Sequence, residues 1–207
     1  MHSVIMMLNR HYLRLEQRLS LIEREIDELS TKEVLAKHEA LALDKYLMQF
    51  QIEWEHFIRR LILDSATGQH QGSSGRVFST LPNPPKTREQ ALYSLLSTFR
   101  GNNGGREPEW SHSSKAIDAA TRLQLSNLTT ISGYLGVTPW PLDEMRFLRN
   151  YIAHQSKNSA VTLRRQSMTG PSGKISVPQI AFDYIPSGVQ RYKSWPAFMK
   201  TIGQQMI

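Results

Sequence analysis

Six consecutive residues in the last third of the chain, Arg149-Asn150-Tyr151-Ile152-Ala153-His154, bring together a guanidinium, a carboxamide and an imidazole. Arginine offers a planar fork of donors that suits a phosphate oxyanion, and it stays charged throughout the working pH range. Histidine ordinarily exchanges a proton near neutrality, so it can serve as general acid or base. Asparagine can orient either the imidazole or a phosphate through its paired donor and acceptor. Together they can neutralise growing phosphate charge and move a proton, and no thiolate or metal is needed. Tyr151 offers a hydroxyl or a stacking ring, or else packs as an ordinary aromatic.

These side chains need an element to hold them. Pro139-Trp140-Pro141 is a rigid corner, and Pro141 suits the first turn of a helix. The sequence therefore predicts a helix from Leu142 to Lys157. At about 100° per residue, Leu142, Met145, Leu148 and Ile152 form one apolar stripe. Asp143, Asn150 and His154 fall on the opposite side, flanked by Arg146, Phe147 and Ala153. Asn150 and His154 are neighbours at i,i+4. Arg149 lies roughly 140° from His154 on an ideal helix, so its side chain must curl round, or the helix must distort, for both to meet one phosphate. A structural alternative pairs Arg149 with Glu144 or Glu55, and His154 alone could simply complement a helix C-terminus.

The segment Leu148 to Gln155 resembles the signature of HEPN domains, an Arg followed by a polar residue such as Asn and, a few positions later, by a His. Here four residues separate Arg149 from His154. Leu142-Asp143-Glu144-Met145-Arg146-Phe147 resembles the helix that presents the motif. Trp54-Glu55-His56-Phe57-Ile58-Arg59-Arg60-Leu61-Ile62 is similar to the amphipathic Trp-Glu helix found early in several HEPN families. The likeness covers residues 40–160. It implies a helical bundle that dimerises, so that two motif helices build one composite cleft. Active HEPN members cut RNA there without a metal or other cofactor, whereas inactive members act as assembly or binding modules, often in toxin–antitoxin and antiviral systems.

The resemblance assigns catalysis to Arg149, Asn150 and His154. RNA supplies its own nucleophile, the 2′-hydroxyl, so the implied products are a 2′,3′-cyclic phosphate and a 5′-hydroxyl. Tyr151 and Arg146 are expected to contact substrate. The rival is a non-catalytic module in which the motif helix builds a dimer.

Composition sets the outer limits. The chain has 207 residues, 40% hydrophobic and 21% charged, enough for one ordinary domain plus an extension. There is no cysteine, which excludes thiolate catalysis, Cys-ligated zinc and disulfides, and fits a reducing compartment. The apolar run that ends at Leu8 is too short for a signal peptide, and no stretch approaches the ~20 apolar residues of a membrane span. The expectation is a soluble cytoplasmic protein. A formal charge of +7 attracts polyphosphates such as RNA without naming a sequence.

The first third has helical periodicity. Ile5, Leu8, Tyr12, Leu15, Leu19, Ile22, Ile26 and Leu29 repeat at the three-four spacing of a coiled-coil seam. The register continues through Ala36, Ala40, Leu43, Leu47, Phe50, Trp54, Phe57 and Leu61. It favours one long helix, although Ser30-Thr31-Lys32-Glu33 spells a capping box that would fold a hairpin instead. The early seam reads as an interface, for a second copy or for an antitoxin or defence-complex subunit.

Gly68 to Pro85 reads as a loop, followed by a helix over Arg88–Phe99, the loop Gly101-Asn102-Asn103-Gly104-Gly105, and a helix over Ser114–Leu135 stopped by Gly136. Asn102-Asn103-Gly104-Gly105 lacks the Lys-Ser/Thr of a nucleotide loop. Val161-Thr162-Leu163-Arg164-Arg165 and Lys174-Ile175-Ser176-Val177 alternate across turn residues, predicting a small hairpin. On it Arg164, Arg165 and Lys174 form a phosphate-steering patch or a solvated face. Trp195, Phe198 and Met199 suit a last helix. No metal is expected: His56 lacks a histidine partner at helical spacing, His112 suits a cap, and His11, His38 and His70 are scattered. The expected architecture is an all-α HEPN-like bundle, with a coiled-coil extension at 1–33, the helical domain at 34–160 and a β-hairpin with helical appendage at 161–207.

Overall fold

The computed structural model describes residues 6–98, 107–137, 140–169 and 173–207. The described residues are mostly helical, in the order β1 (Met6–Met7), α1 (Asn9–Ser30), α2 (Lys37–Ala66), β2 (His70–Gly72), β3 (Gly75–Val77), α3 (Arg88–Thr98), α4 (Ser113–Arg122), α5 (Leu128–Val137), α6 (Trp140–His154), α7 (Lys157–Arg165), α8 (Val177–Phe182) and α9 (Arg191–Gln205). They fall into two compact units. The first comprises Met1–Leu15, Glu55–Pro139 and Thr201–Ile207; the second comprises Glu16–Trp54 and Trp140–Lys200.

The long N-terminal helix is in fact two helices. α1 ends at Ser30 and α2 begins at Lys37. The break comes close to the Ser30-Thr31 signal, but different residues make it. The hydroxyls of Ser30 and Thr31 donate back to the carbonyls of Asp27 and Glu28, which closes α1. Glu39 then reaches back to accept the Ala36 N–H at 2.8 Å, half of a capping box, and also pairs with Lys32.

The seam is equally a correction. Leu8, Tyr12, Leu15, Leu19, Ile22, Ile26 and Leu29 are all buried by the chain's own residues, so the described part of that stripe is not left open for another subunit. Ile5 lies outside the described residues, as does the loop at 101–105.

In the second unit, Lys200 pairs with Glu23, and the Tyr192 hydroxyl donates to Asp27 at 2.5 Å, so α9 packs on α1 through polar contacts around a buried Trp195 and Met199. In the first unit the predicted loop after α2 contains a tight hairpin. β2 and β3 pair antiparallel with His70 opposite Val77 and Gly72 opposite Gly75, and β1 runs parallel to β2. Gly75 has φ +116°, a conformation that favours glycine. The helix expected over 114–135 is split into α4 and α5 around Gln124, which has φ +47°.

The first arm of the hairpin expected from 161 to 177 is not a strand, because Lys157–Arg165 is helix α7. Ser156 caps it by accepting the Ser159 N–H at 3.2 Å. The three-residue alternation at Val161-Thr162-Leu163 is too short to compete with that cap. Leu163 is the fully buried position of α7. Beyond α7, the described C-terminal residues carry only an isolated antiparallel bridge, Tyr184 to Gln190.

Candidate functional site

The motif lies on α6, in the second unit. Leu142, Met145 and Leu148 are buried as the apolar stripe requires, with Ile152 half-buried. Glu144, also buried, accepts Arg191 Nη1 at 2.5 Å and Trp195 Nε1 at 3.3 Å, which fixes the rotation of α6 against α9. Glu144 is therefore engaged by Arg191, and the alternative ion pair with Arg149 is not formed.

Arg149 and Asn150 are both half-buried, and Arg149 Nη1 donates to Asn150 Oδ1 at 3.1 Å. The guanidinium thus curls toward the amide, in the sense that the helical geometry demands if it is to approach the His154 side. His154 is exposed and is the last residue of α6. Gln155 follows in a left-handed conformation, φ +42°, with its N–H on the Tyr151 carbonyl at 2.7 Å. That turn ends the helix at His154 itself, three residues sooner than the sequence suggests. Tyr151 is half-buried.

Arg146 is already occupied. It pairs with Asp143 at 3.2 Å and lies over the Phe147 ring, 5.0 Å from its centroid, and its buried Nε has no hydrogen-bond partner. Arg164 and Arg165 are exposed in the last turn of α7, where cations complement the helix dipole. Lys174 is exposed in coil, not across a hairpin from them as the sequence reading had it.

In the first unit, three residues that sequence spacing leaves scattered come together. His11 Nε2 lies 2.6 Å from Asp64 Oδ2, and His70 Nε2 lies 3.5 Å from the same oxygen. Arg88 grips both carboxylate oxygens, with Nη2 at 2.5 Å from Oδ2. Burial pushes the Asp64 carboxyl up, but the hydrogen bonds from Arg88 and His11 more than offset this and hold it at about 2. Burial lowers the His70 pKa, with Asp64 opposing. An open polar pocket beside this cluster is lined by Asp64, Thr67, Gln69, His70, Lys86 and Arg88. No local motif announces the cluster: His11 and Asp64 are 53 positions apart.

Among the described residues, no helix is long and apolar enough to cross a membrane. In comparisons with protein-family models, curated proteins and solved structures, this chain finds no match.

Proposed function

We propose that the chain is a HEPN-type endoribonuclease that cleaves RNA by attack of the 2′-hydroxyl, without a catalytic metal, as a dimer. The observation that carries this reading is the state of the motif. Arg149 is held against Asn150, while His154 stands in solvent at the end of the same helix. An exposed histidine at a helix end can also complement the dipole, and it is the Arg149–Asn150 pair on the same helix that favours the catalytic reading.

The chemistry follows from these groups. One His154 accepts the proton of the 2′-hydroxyl as that oxygen forms its bond to phosphorus. The bond from phosphorus to the 5′-oxygen breaks, and the His154 of a second copy donates a proton to the leaving oxygen. Arg149 binds one charge-bearing phosphate oxygen with donors not engaged by Asn150, and the Asn150 amide nitrogen can take another. The exposed Arg164 and Arg165 on α7 draw the polyanion toward this unit without sequence preference. A toxin or antiviral effector is the biological setting that the HEPN resemblance suggests.

The test is cleavage of a mixed-sequence RNA by purified chain, with the fragment ends identified. The expected result is 2′,3′-cyclic phosphate and 5′-hydroxyl termini without added divalent ion, and no cleavage by His154→Ala. Cleavage that needs an added ion for chemistry, or equal cleavage by His154→Ala, rejects the proposal. If the folded wild-type chain leaves RNA intact but dimerises through α6, the non-catalytic module is the correct reading.

A further inference from the structure

We propose that His11, Asp64 and His70 form a binding site for one divalent transition-metal ion of the Zn²⁺ class, which ties the first turn of α1 to the end of α2 and to β2. The site is independent of the nuclease reading, since all three residues belong to the first unit.

The donor set is two imidazole nitrogens and one carboxylate oxygen, a combination that binds zinc well. One ligand atom from each residue lies within 4.8 Å of the others. Ligands at about 2.0–2.1 Å from a tetrahedral zinc ion are roughly 3.4 Å apart. The 3.5 Å from His70 Nε2 to Asp64 Oδ2 already matches that edge. The 2.6 Å from His11 Nε2 is hydrogen-bond spacing and must open by under about 1 Å, a change within rotamer adjustment.

The surroundings suit a bound ion in three respects. His70 is only 4% exposed, so its Nε2 faces Asp64 Oδ2 away from bulk water. Next, Arg88 Nε holds Oδ1, leaving Oδ2 to face both imidazoles; a hydrogen bond on the second oxygen is the usual support for a ligating carboxylate. Arg88 Nη2 must give up its share of Oδ2, and its side chain is 45% exposed, so water and the nearby Glu89 can take up its charge. Lastly, the polar pocket beside His70 leaves room for water as a fourth ligand.

The experiment uses the full chain, stripped with chelator, dialysed and titrated with Co²⁺ as a spectroscopic probe and with Zn²⁺ against a chromophoric chelator. One equivalent of ion with visible Co²⁺ bands of tetrahedral type is expected. Zn²⁺ should also shield His11, the more exposed of the two imidazoles, from diethyl pyrocarbonate, read peptide by peptide by mass spectrometry on the wild-type chain, which identifies a ligand without a variant. His70→Ala should weaken binding at least ~100-fold, while Arg88→Met should still take up one equivalent. No stoichiometric uptake by folded wild type, unchanged binding by His70→Ala, or shielding of other histidines in place of His11 overturns the proposal. Because the readout is metal binding, failure here leaves the cleavage test unaffected.

Discussion

Glu144 and Arg191 form a 2.5 Å ion pair with their side chains only 5% and 11% exposed, and the same carboxylate takes the Trp195 indole N–H. This pair joins the motif helix to α9. Removing one member of such a pair is worse than removing both, because the survivor is left buried without a partner. Arg191→Met should therefore destabilise the chain by about 3–5 kcal/mol in urea unfolding. Replacing Glu144 and Arg191 together by Met should recover most of that loss. A single-variant cost under ~1 kcal/mol would mean that water enters and solvates Glu144.

Arg149 separates the demands of charge from those of shape. Arg149→Lys keeps the positive charge but loses the planar fork that meets Asn150 and, in the proposed cleavage, would also meet a phosphate. RNA cleavage is expected to fall by ~100-fold. Affinity for RNA at low salt should change little, since the formal charge is the same. Arg149 is half-buried and its one described side-chain bond is to its neighbour, so the melting temperature should barely move. An active Lys variant would show that the residue contributes charge alone.

Gly203 in α9 tests the close packing of the first unit. A Cβ there would come within 3.2 Å of Leu15 Cδ2 and 3.5 Å of the Phe57 ring, both buried. Alanine gains helix propensity of about 1 kcal/mol over glycine, which competes with a few tenths of an ångström of crowding. Valine adds two further carbons beside the same Leu15 and Phe57 side chains. Gly203→Val should cost about 1–3 kcal/mol by chemical denaturation, and a stability equal to wild type would contradict the packing described.

The motif helix was legible because its signals are local and agree with one another. The Leu142–Met145–Leu148 stripe has the helical period, and those residues are buried as expected. The α1 seam was equally clear as a period, but a period does not say which surface will cover it. Here the chain folds back at 31–36 and buries the stripe itself. At Val161-Thr162-Leu163, alternation was too short a signal beside the Ser156 cap. The His11, Asp64 and His70 cluster was invisible because each residue comes from a different element, and only tertiary packing brings them together. Arg149 was legible only as a geometric problem on the helix, and its guanidinium bonds the neighbouring Asn150.

The same cluster makes stability depend on acid in metal-stripped protein. The Asp64 carboxyl is held at about 2, against 3.8 ordinarily, by Arg88 and His11 acting against burial. Its ionised form is thus favoured by folding, and the contribution is complete above the unfolded value and lost as pH falls from about 4 toward 2. The size is about 2 kcal/mol. His70 works in the same direction for a different reason. Burial lowers its pKa, so the folded chain binds that proton less readily than the unfolded chain, and stability begins to fall once pH drops below the ordinary value of 6.5. Urea midpoints measured in chelator should therefore decline in two stages, one starting near 6.5 and one below about 4. Asp64→Asn should shrink the lower stage, to which Asp27, Glu39, Glu89 and Glu107, each also held below the ordinary carboxyl range, contribute, and it unpairs Arg88 and lowers the whole curve. His70→Gln should flatten the upper stage while sparing the lower. An upper stage that persists in His70→Gln would mean that another histidine controls it.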